Sequence, residues 1–544
     1  MRRRLLPVDA SVAIAIAAMV GATARAQSLV HDLRGADRSE FGWSIAFVGD
    51  LDGDGTSELA IGSVPETAPG YVTLFSGATG AVLRVHVSTQ IDDFFGFSVA
   101  GVGDVDGDGV PDYAAGAPHW FVSSGFDGST VVYSGKSGAL LWSVLGGPDE
   151  QLGFSIAGVG DVDGNGRPEV LIGRMGVDGF SLFDGGGAPL LAVEERDGNA
   201  LGWSVAGAGD LDGDGVADFL VGEPWHDVHS AAAYRGRVRI YSGATLTWIA
   251  NATGAGAGDR FGVAVAATGD VDRDGLCDFV AGAPFERTNG GGSGSLVQCR
   301  SDGSRIWDVK GTAVGDWLGY SAAGVGDVDG DGTPDCAAGA PQIGNGGVGR
   351  VLLLSGADGH ELFDFEGDPS RNVIYARSVA GGDVDGDGIG DVAIGDDDWT
   401  DATGQLGQAQ LFLGCPASWS SYDAGWPGTN GVPSFTARGD PGLGGPVTLA
   451  LEDSSGVGTT ALLLLGFARA NVPTHADGTL LVVPALFVPM AVPAAGLDLT
   501  GAIPDDPQLA FLRVDLQAIE LDAGASHGLS FTAGLELVLG FDLP

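Results

Sequence analysis

Seven short runs in this chain put carboxylates at alternating positions of a glycine-rich loop. In residues 104–112, DVDGDGVPD, positions one, three, five and nine are Asp104, Asp106, Asp108 and Asp112, and position seven, Val110, offers a backbone carbonyl. The first run supplies Asp50, Asp52, Asp54, Thr56 and Glu58, and the third Asp161, Asp163, Asn165, Arg167 and Glu169. The fourth has Asp210, Asp212, Asp214, Val216 and Asp218; the fifth Asp270, Asp272, Asp274, Leu276 and Asp278. The sixth has Asp327, Asp329, Asp331, Thr333 and Asp335, and the seventh Asp383, Asp385, Asp387, Ile389 and Asp391. Like charges this dense repel one another unless a cation sits among them. Calcium takes about six to eight oxygen ligands, and glycine at position six allows the sharp turn such a loop needs. The expectation is therefore several calcium ions, up to seven, ahead of magnesium because the loops are acid-rich. The pattern matches the first half of an EF-hand, but Ala115 stands where the bidentate Glu of position twelve would be. Asx-turns without metal are the alternative, and the confinement of so many acids to seven windows counts against it. Asn165 is neutral and Arg167 positive, so the third loop is expected to be the weakest site.

The loops recur at intervals of 49 to 60 residues, the repeat length of a propeller blade rather than of a helical repeat. Upstream of the first six stands an aromatic or leucine followed by Gly, then an alternating strand such as FSVAGV. Downstream come an apolar run such as DYAAGAP, a variable loop, a third strand, a turn of the SGATG kind and a fourth strand. Four-stranded antiparallel units follow from that density of strand and turn signals. Such a sheet has two apolar faces and must stack, and seven stacked radially close into a β-propeller. The seventh unit lacks a fourth strand, and residues 28–34 align with the fourth strands of the others. They are expected to complete the last blade and remove its free edge.

These repeats resemble FG-GAP repeats, the units of the integrin α propeller that also occur in many secreted bacterial proteins. FG is literal at Phe41-Gly42, Phe95-Gly96 and Phe261-Gly262, and GAP at Gly116-Ala117-Pro118, Gly282-Ala283-Pro284 and Gly339-Ala340-Pro341. In the seventh unit Tyr375-Ala376 replaces FG, and Gly395-Asp396-Asp397 replaces GAP. The resemblance covers roughly residues 28–414. It implies a calcium-holding propeller whose partner site lies on the face opposite the metal loops. One fold serves many functions, so the ligand itself is not implied.

The chain has 544 residues and a formal net charge of −45, with an apolar fraction of 44% that supplies a core. So acidic a surface disfavours nucleic acid and anionic membranes as partners and favours cations or basic partners. Residues 1–26 carry a basic start at Arg2, Arg3 and Arg4, a short apolar stretch and Ala24-Arg25-Ala26, the form of a secretory signal peptide. Export to the medium or the cell surface, without membrane insertion, is expected. None of the four cysteines forms a CxxC pair. Cys277 and Cys299 fall on the second and third strands of blade five and are expected to face each other, close enough for a disulfide.

After residue 414 the acidic loops stop. Residues 415–440 read as a linker, and the alternating apolar runs of residues 441–544 as a small C-terminal β-sandwich. The fold class is thus all-β, a signal peptide and seven-bladed propeller (27–414) followed by that sandwich. No catalytic residue is assigned, because neither GxSxG nor HExxH occurs. His226, Asp227 and His229 in PWHDVH read as an exposed loop, and the RGD within residues 437–440 as a chance tripeptide. The face opposite the metal loops collects Trp120, Trp225, His226, Trp317 and Trp399, aromatics that suit a protein or glycan ligand. The reading is binding or adhesion. The alternative is a propeller-based polysaccharide lyase or hydrolase, which would gather acids, His or Arg at the mouth of the axial channel.

Overall fold

The computed structural model describes residues 29–35, 39–65, 67–120, 125–226, 234–329, 331–342, 347–367, 375–397, 407–414, 418–422, 425–427, 429–438, 446–455, 457–466, 469–474, 479–484, 486–502 and 513–538. The leader, Asp227, His229, Trp399, Cys415 and the Gly-Asp of the RGD lie outside them. Two compact units divide the chain at Leu413, and no helix of the described residues is long and apolar enough to cross a membrane.

Residues 29–413 form seven four-stranded antiparallel sheets. Blade one is Phe41–Phe47, Leu59–Ser63, Tyr71–Phe75 and Val82–Val87, in that order, and the next five repeat it. The last blade has Tyr375–Gly382, Asp391–Asp396 and Gln408–Phe412, and its outer strand is Leu29–Arg34 from the start of the chain, with Leu33 opposite Ala409. First strands pack on first strands right round, and that of the last blade meets that of the first, so the seven-bladed ring is closed. Second strands, such as Asp112–Ala117, are buried throughout because both their faces meet neighbouring blades. The apolar core lies between blades: Leu59, Ile61 and Phe75 of the first pack with Val384, Ala393 and Leu411 of the last.

The glycines of the repeat have a steric cause. A Cβ on Gly62 would lie 2.0 Å from the carbonyl oxygen of Gly96 in the next blade, so two backbones touch there. Gly395 meets Gly42 in the same way across the closure. A serine on or just before the first strand fastens six of the seven joints. Ser44, Ser98, Ser155, Ser204, Ser321 and Ser378 donate from Oγ to the carbonyls of Gly96, Gly153, Gly202, Gly262, Ala376 and Gly42, at 2.7 to 3.0 Å. Blade five has Ala264 at this place. Tyr375 is buried opposite Asp396 as Phe41 is opposite Ser63, so the departure from FG keeps the packing. Ala376 pays with φ at +71°, a region L-residues disfavour.

The described residues of the second unit form a six-stranded, a three-stranded and a two-stranded sheet. Phe435, Val447 and Leu449 of the three-stranded sheet share one core with Leu463, Val514, Leu516 and Leu535 of the six-stranded one, which makes a sandwich. The linker expected over 415–440 is corrected. Ser418–Tyr422 pairs with Gly534–Val538, and Phe435–Arg438 with Pro446–Leu451, so this stretch belongs to the sandwich. Its first described strand bonds to the last described one, a partner that no local pattern reveals.

Candidate metal loops and the opposite face

Each acidic loop joins the first strand of its blade to the second, and its own backbone holds its carboxylates in place. The N–H of position six donates to the Oδ2 of position one in all seven copies, from Gly55 to Asp50 through Gly388 to Asp383, at 2.8 to 3.0 Å. The N–H of position seven donates to the side chain of position five, as from Val110 to Asp108 at 3.0 Å. Asn165 accepts the equivalent bond from Arg167 at 2.8 Å. The position-six glycines have φ between +79° and +93°, which a side chain would strain. The effect is a set of carboxylates turned toward one another. Asp50, Asp52, Asp54 and Glu58 bring oxygens within 4.8 Å of one another, and so do Asp161, Asp163 and Glu169, and Asp210, Asp212 and Asp218.

Position nine stands apart. It opens the second strand, or in Glu58 immediately precedes it, is wholly buried, and its carboxylate accepts the N–H of position two in every loop, as from Val105 to Asp112 Oδ2 at 2.9 Å. In four loops the other oxygen reaches the turn between the third and fourth strands. Asp112, Asp218, Asp278 and Asp335 accept there from Gly135, Gly243, Ser301 and Gly356 at 2.8, 2.8, 3.1 and 2.9 Å. Metal loop and hairpin turn therefore share a face. Glu58 and Glu169 make the first bond, but Oε1 of each is buried without a hydrogen-bond partner. Burial pushes both carboxyls up to about 7, Asp278 up to about 6 and Asp335 up to about 8. An all-oxygen donor set, with buried carboxylate oxygens left over, fits a hard divalent cation.

The positive groups fall differently from the sequence expectation. Arg167 leans away from its own loop and donates from Nη1 to the Val105 carbonyl of the second loop at 3.4 Å. Lys136 also serves the second loop, with Nζ 3.6 Å from Asp108 Oδ2. Arg300 binds Asp272 of the fifth loop at 2.7 Å, and Arg273 reaches the Asp331 carbonyl of the sixth at 3.0 Å.

The FG and GAP ends of the strands lie at the other face. There the residue after FG, which the sequence reading passed over, builds an aromatic collar around the axis. Trp203, Phe154, Phe97 and Trp43 follow one another with ring centroids 5.0, 4.9 and 5.3 Å apart. The Arg377 guanidinium lies 3.6 Å over Trp43 and 5.9 Å from Tyr320, and Arg377 pairs with Asp397 at 3.5 Å. All six are half-buried. Two expected ligand-face residues abut this collar, Trp225 against Trp203 at 5.8 Å and Trp317 against Tyr320 at 6.1 Å. Trp120 is instead packed against the core between blades one and two. His226 faces the buried Glu223 at 3.2 Å, beside Arg237 and Arg239.

The cysteine expectation is corrected. Cys299 lies opposite Phe279, two residues off the expected register, and Cys277 precedes the strand, its N–H donating to Asp210 of the adjoining blade at 3.0 Å. Cys277, Cys299 and Cys336 are free thiols.

The FG-GAP repeat model matches residues 41–82, 201–241 and 261–297, in blades one, four and five. Integrin alpha pat-2 of Caenorhabditis elegans is 29% identical over 266 residues, 47% of this chain and 18% of that protein. Integrin alpha-6 of Gallus gallus is 32% identical over 180 residues, 29% of this chain and 16% of its own length. Human integrin alpha-IIb is 32% identical over 175 residues, 28% and 17% of the two chains. The chain thus spans less than a fifth of each of these relatives. Repeat match, strand order and loop geometry agree: this is an FG-GAP repeat, integrin α-like protein.

Proposed function

We propose that the chain is an exported, calcium-stabilised propeller that acts in binding or adhesion, its ligand a protein or glycan taken on the face opposite the acidic loops. The observation that carries the ligand face is the collar of Trp203, Phe154, Phe97, Trp43, Arg377 and Tyr320, a half-buried, largely aromatic surface. Aromatic rings stack on the apolar faces of sugars and anchor protein interfaces. The acidic loops on the other face support a structural role for calcium, since a divalent ion offsets the repulsion among their carboxylates. Export accords with the signal-like residues 1–26 and with calcium levels that fill weak sites outside the cell. A polysaccharide-active enzyme is the less favoured reading, because Arg377 and Asp397 at the collar pair with each other.

A glycan array and a panel of extracellular proteins, probed with the chain in calcium and in EDTA, test this. Binding in calcium that is lost in Trp43→Ala and Phe97→Ala, with melting temperature kept, supports the reading. Ligand capture unchanged by both variants would overturn the assignment of the face.

A further inference from the structure

We propose that the seven acidic loops do not fill alike: the first and third, which end in Glu58 and Glu169, take calcium ahead of the second and fifth. The inference rests on the calcium reading above, and it reverses the rank that composition alone gives the third loop.

Two independent observations carry it. The first is what position nine does with its second oxygen. In the second, fourth, fifth and sixth loops an aspartate has both oxygens engaged, one by the N–H of position two and one by the hairpin turn. Glutamate is one methylene longer. Glu58 and Glu169 keep the bond to Leu51 and Val162 through Oε2 and leave Oε1 buried with no partner. Both residues are 0% exposed, and their carboxylates stand within 4.8 Å of the aspartates of their own loops. A buried acceptor without a partner carries its full desolvation cost. A cation among those aspartates removes the cost in these two loops, whereas in the other four the same oxygen already has a donor.

The second observation is where the basic side chains lie. Lys136 and Arg167 approach the second loop, and Arg300 binds Asp272 of the fifth. A divalent ion entering there meets a resident positive charge, or must displace it. Among the described residues no ion pair joins a basic group to Asp50, Asp52, Asp54 or Glu58, nor to Asp161, Asp163 or Glu169. The Arg167 side chain, which would have opposed binding in the third loop, is turned to the second. Neutral Asn165 still costs the third loop one charge and one carboxylate oxygen, but its amide oxygen keeps the aspartate's bond to the N–H of position seven, so the turn of the loop is preserved.

The test is a calcium-binding isotherm of the full chain by equilibrium dialysis, for wild type, Glu58→Gln with Glu169→Gln, and Lys136→Ala with Arg300→Ala. Wild type is expected to show two sites about tenfold tighter than the weakest class. The glutamine pair abolishes the tight class and leaves the others unchanged, while the alanine pair tightens two weak sites several-fold. A single class of sites in wild type, or a folded glutamine variant with an unaltered isotherm, overturns the proposal. If the glutamine pair does not fold, crystals grown with two calcium equivalents per chain decide: density is expected in the first and third loops, and density elsewhere first overturns it. No calcium bound by wild type at all would instead overturn the calcium reading on which this one stands.

Discussion

Ser378 in the last blade donates from Oγ to the carbonyl of Gly42 in the first, at 2.8 Å, and so repeats across the ring's closure the bond that joins its other blades. Only the joint between blades five and six lacks it, because Ala264 holds the serine's place there. Each such bond is worth about 0.5–1.5 kcal/mol net. Ala264→Ser is therefore expected to raise the melting temperature by a few degrees, and Ser378→Ala to lower it. A serine at 264 that destabilises would show that this joint is packed differently.

Ring closure also rests on the pairing of Leu29–Arg34 with Gln408–Phe412. His31 adds a bond to the Gly77 carbonyl of blade one at 2.7 Å. Deleting residues 29–34 frees the edge of the last blade and removes contacts from the first as well. The expected result is a large loss of stability for the whole ring. A chain ended after Leu413 should keep its melt. If the deletion melts like wild type, the strand does not contribute to closure.

Asp112 is buried and bridges two elements far apart in sequence, accepting from Val105 at 2.9 Å and Gly135 at 2.8 Å. Asp112→Ala leaves the buried Gly135 N–H without its acceptor, at about 1–3 kcal/mol, and leaves the Val105 N–H with only the Gly103 carbonyl at 3.1 Å. That loss is expected with and without calcium, because the bonds are to backbone. A destabilisation seen only in calcium would mean that Asp112 acts solely as a metal ligand.

In chelator, pH should matter in a stated direction. Burial holds Glu58 and Glu169 at about 7 and Asp335 at about 8, above their unfolded values of 4.5 and 3.8. A raised folded pKa gives stability that is complete below the unfolded value and lost as pH rises through the folded one. The metal-free protein should accordingly melt lower at pH 8.5 than at pH 5.5, by an amount that solvent screening moderates (about a few degrees). Equal melts at the two pH values would place these carboxylates in a wetter setting.

What the sequence discloses follows from what repeats. Seven copies of one motif give the blade number, the strand order and the face of the acidic loops, because Gly at position six and the Asp spacing recur at fixed offsets. The collar escapes such reading. Its six members, Trp43, Phe97, Phe154, Trp203, Tyr320 and Arg377, stand at a position that blade five fills with Val263, one that varies in type and gains meaning only when the copies meet at the axis. The register of blade five failed for a similar reason. The loop between Gly282 and Ser295 is variable in length, so the pairing of Phe279 with Cys299 cannot be counted from the turn. Nor does any local pattern announce that Trp419 lies opposite Leu537.

Thermal unfolding of the full chain in saturating calcium, in magnesium and in excess EDTA tests the central claim, that the acidic loops are calcium sites on which the ring depends. Ligand that binds only the folded state stabilises by about 2.7 kcal/mol per site at a hundredfold excess over Kd. Several sites together should raise the melting temperature in calcium well above that in EDTA, with magnesium in between. Coincident melts in calcium and EDTA would contradict the account.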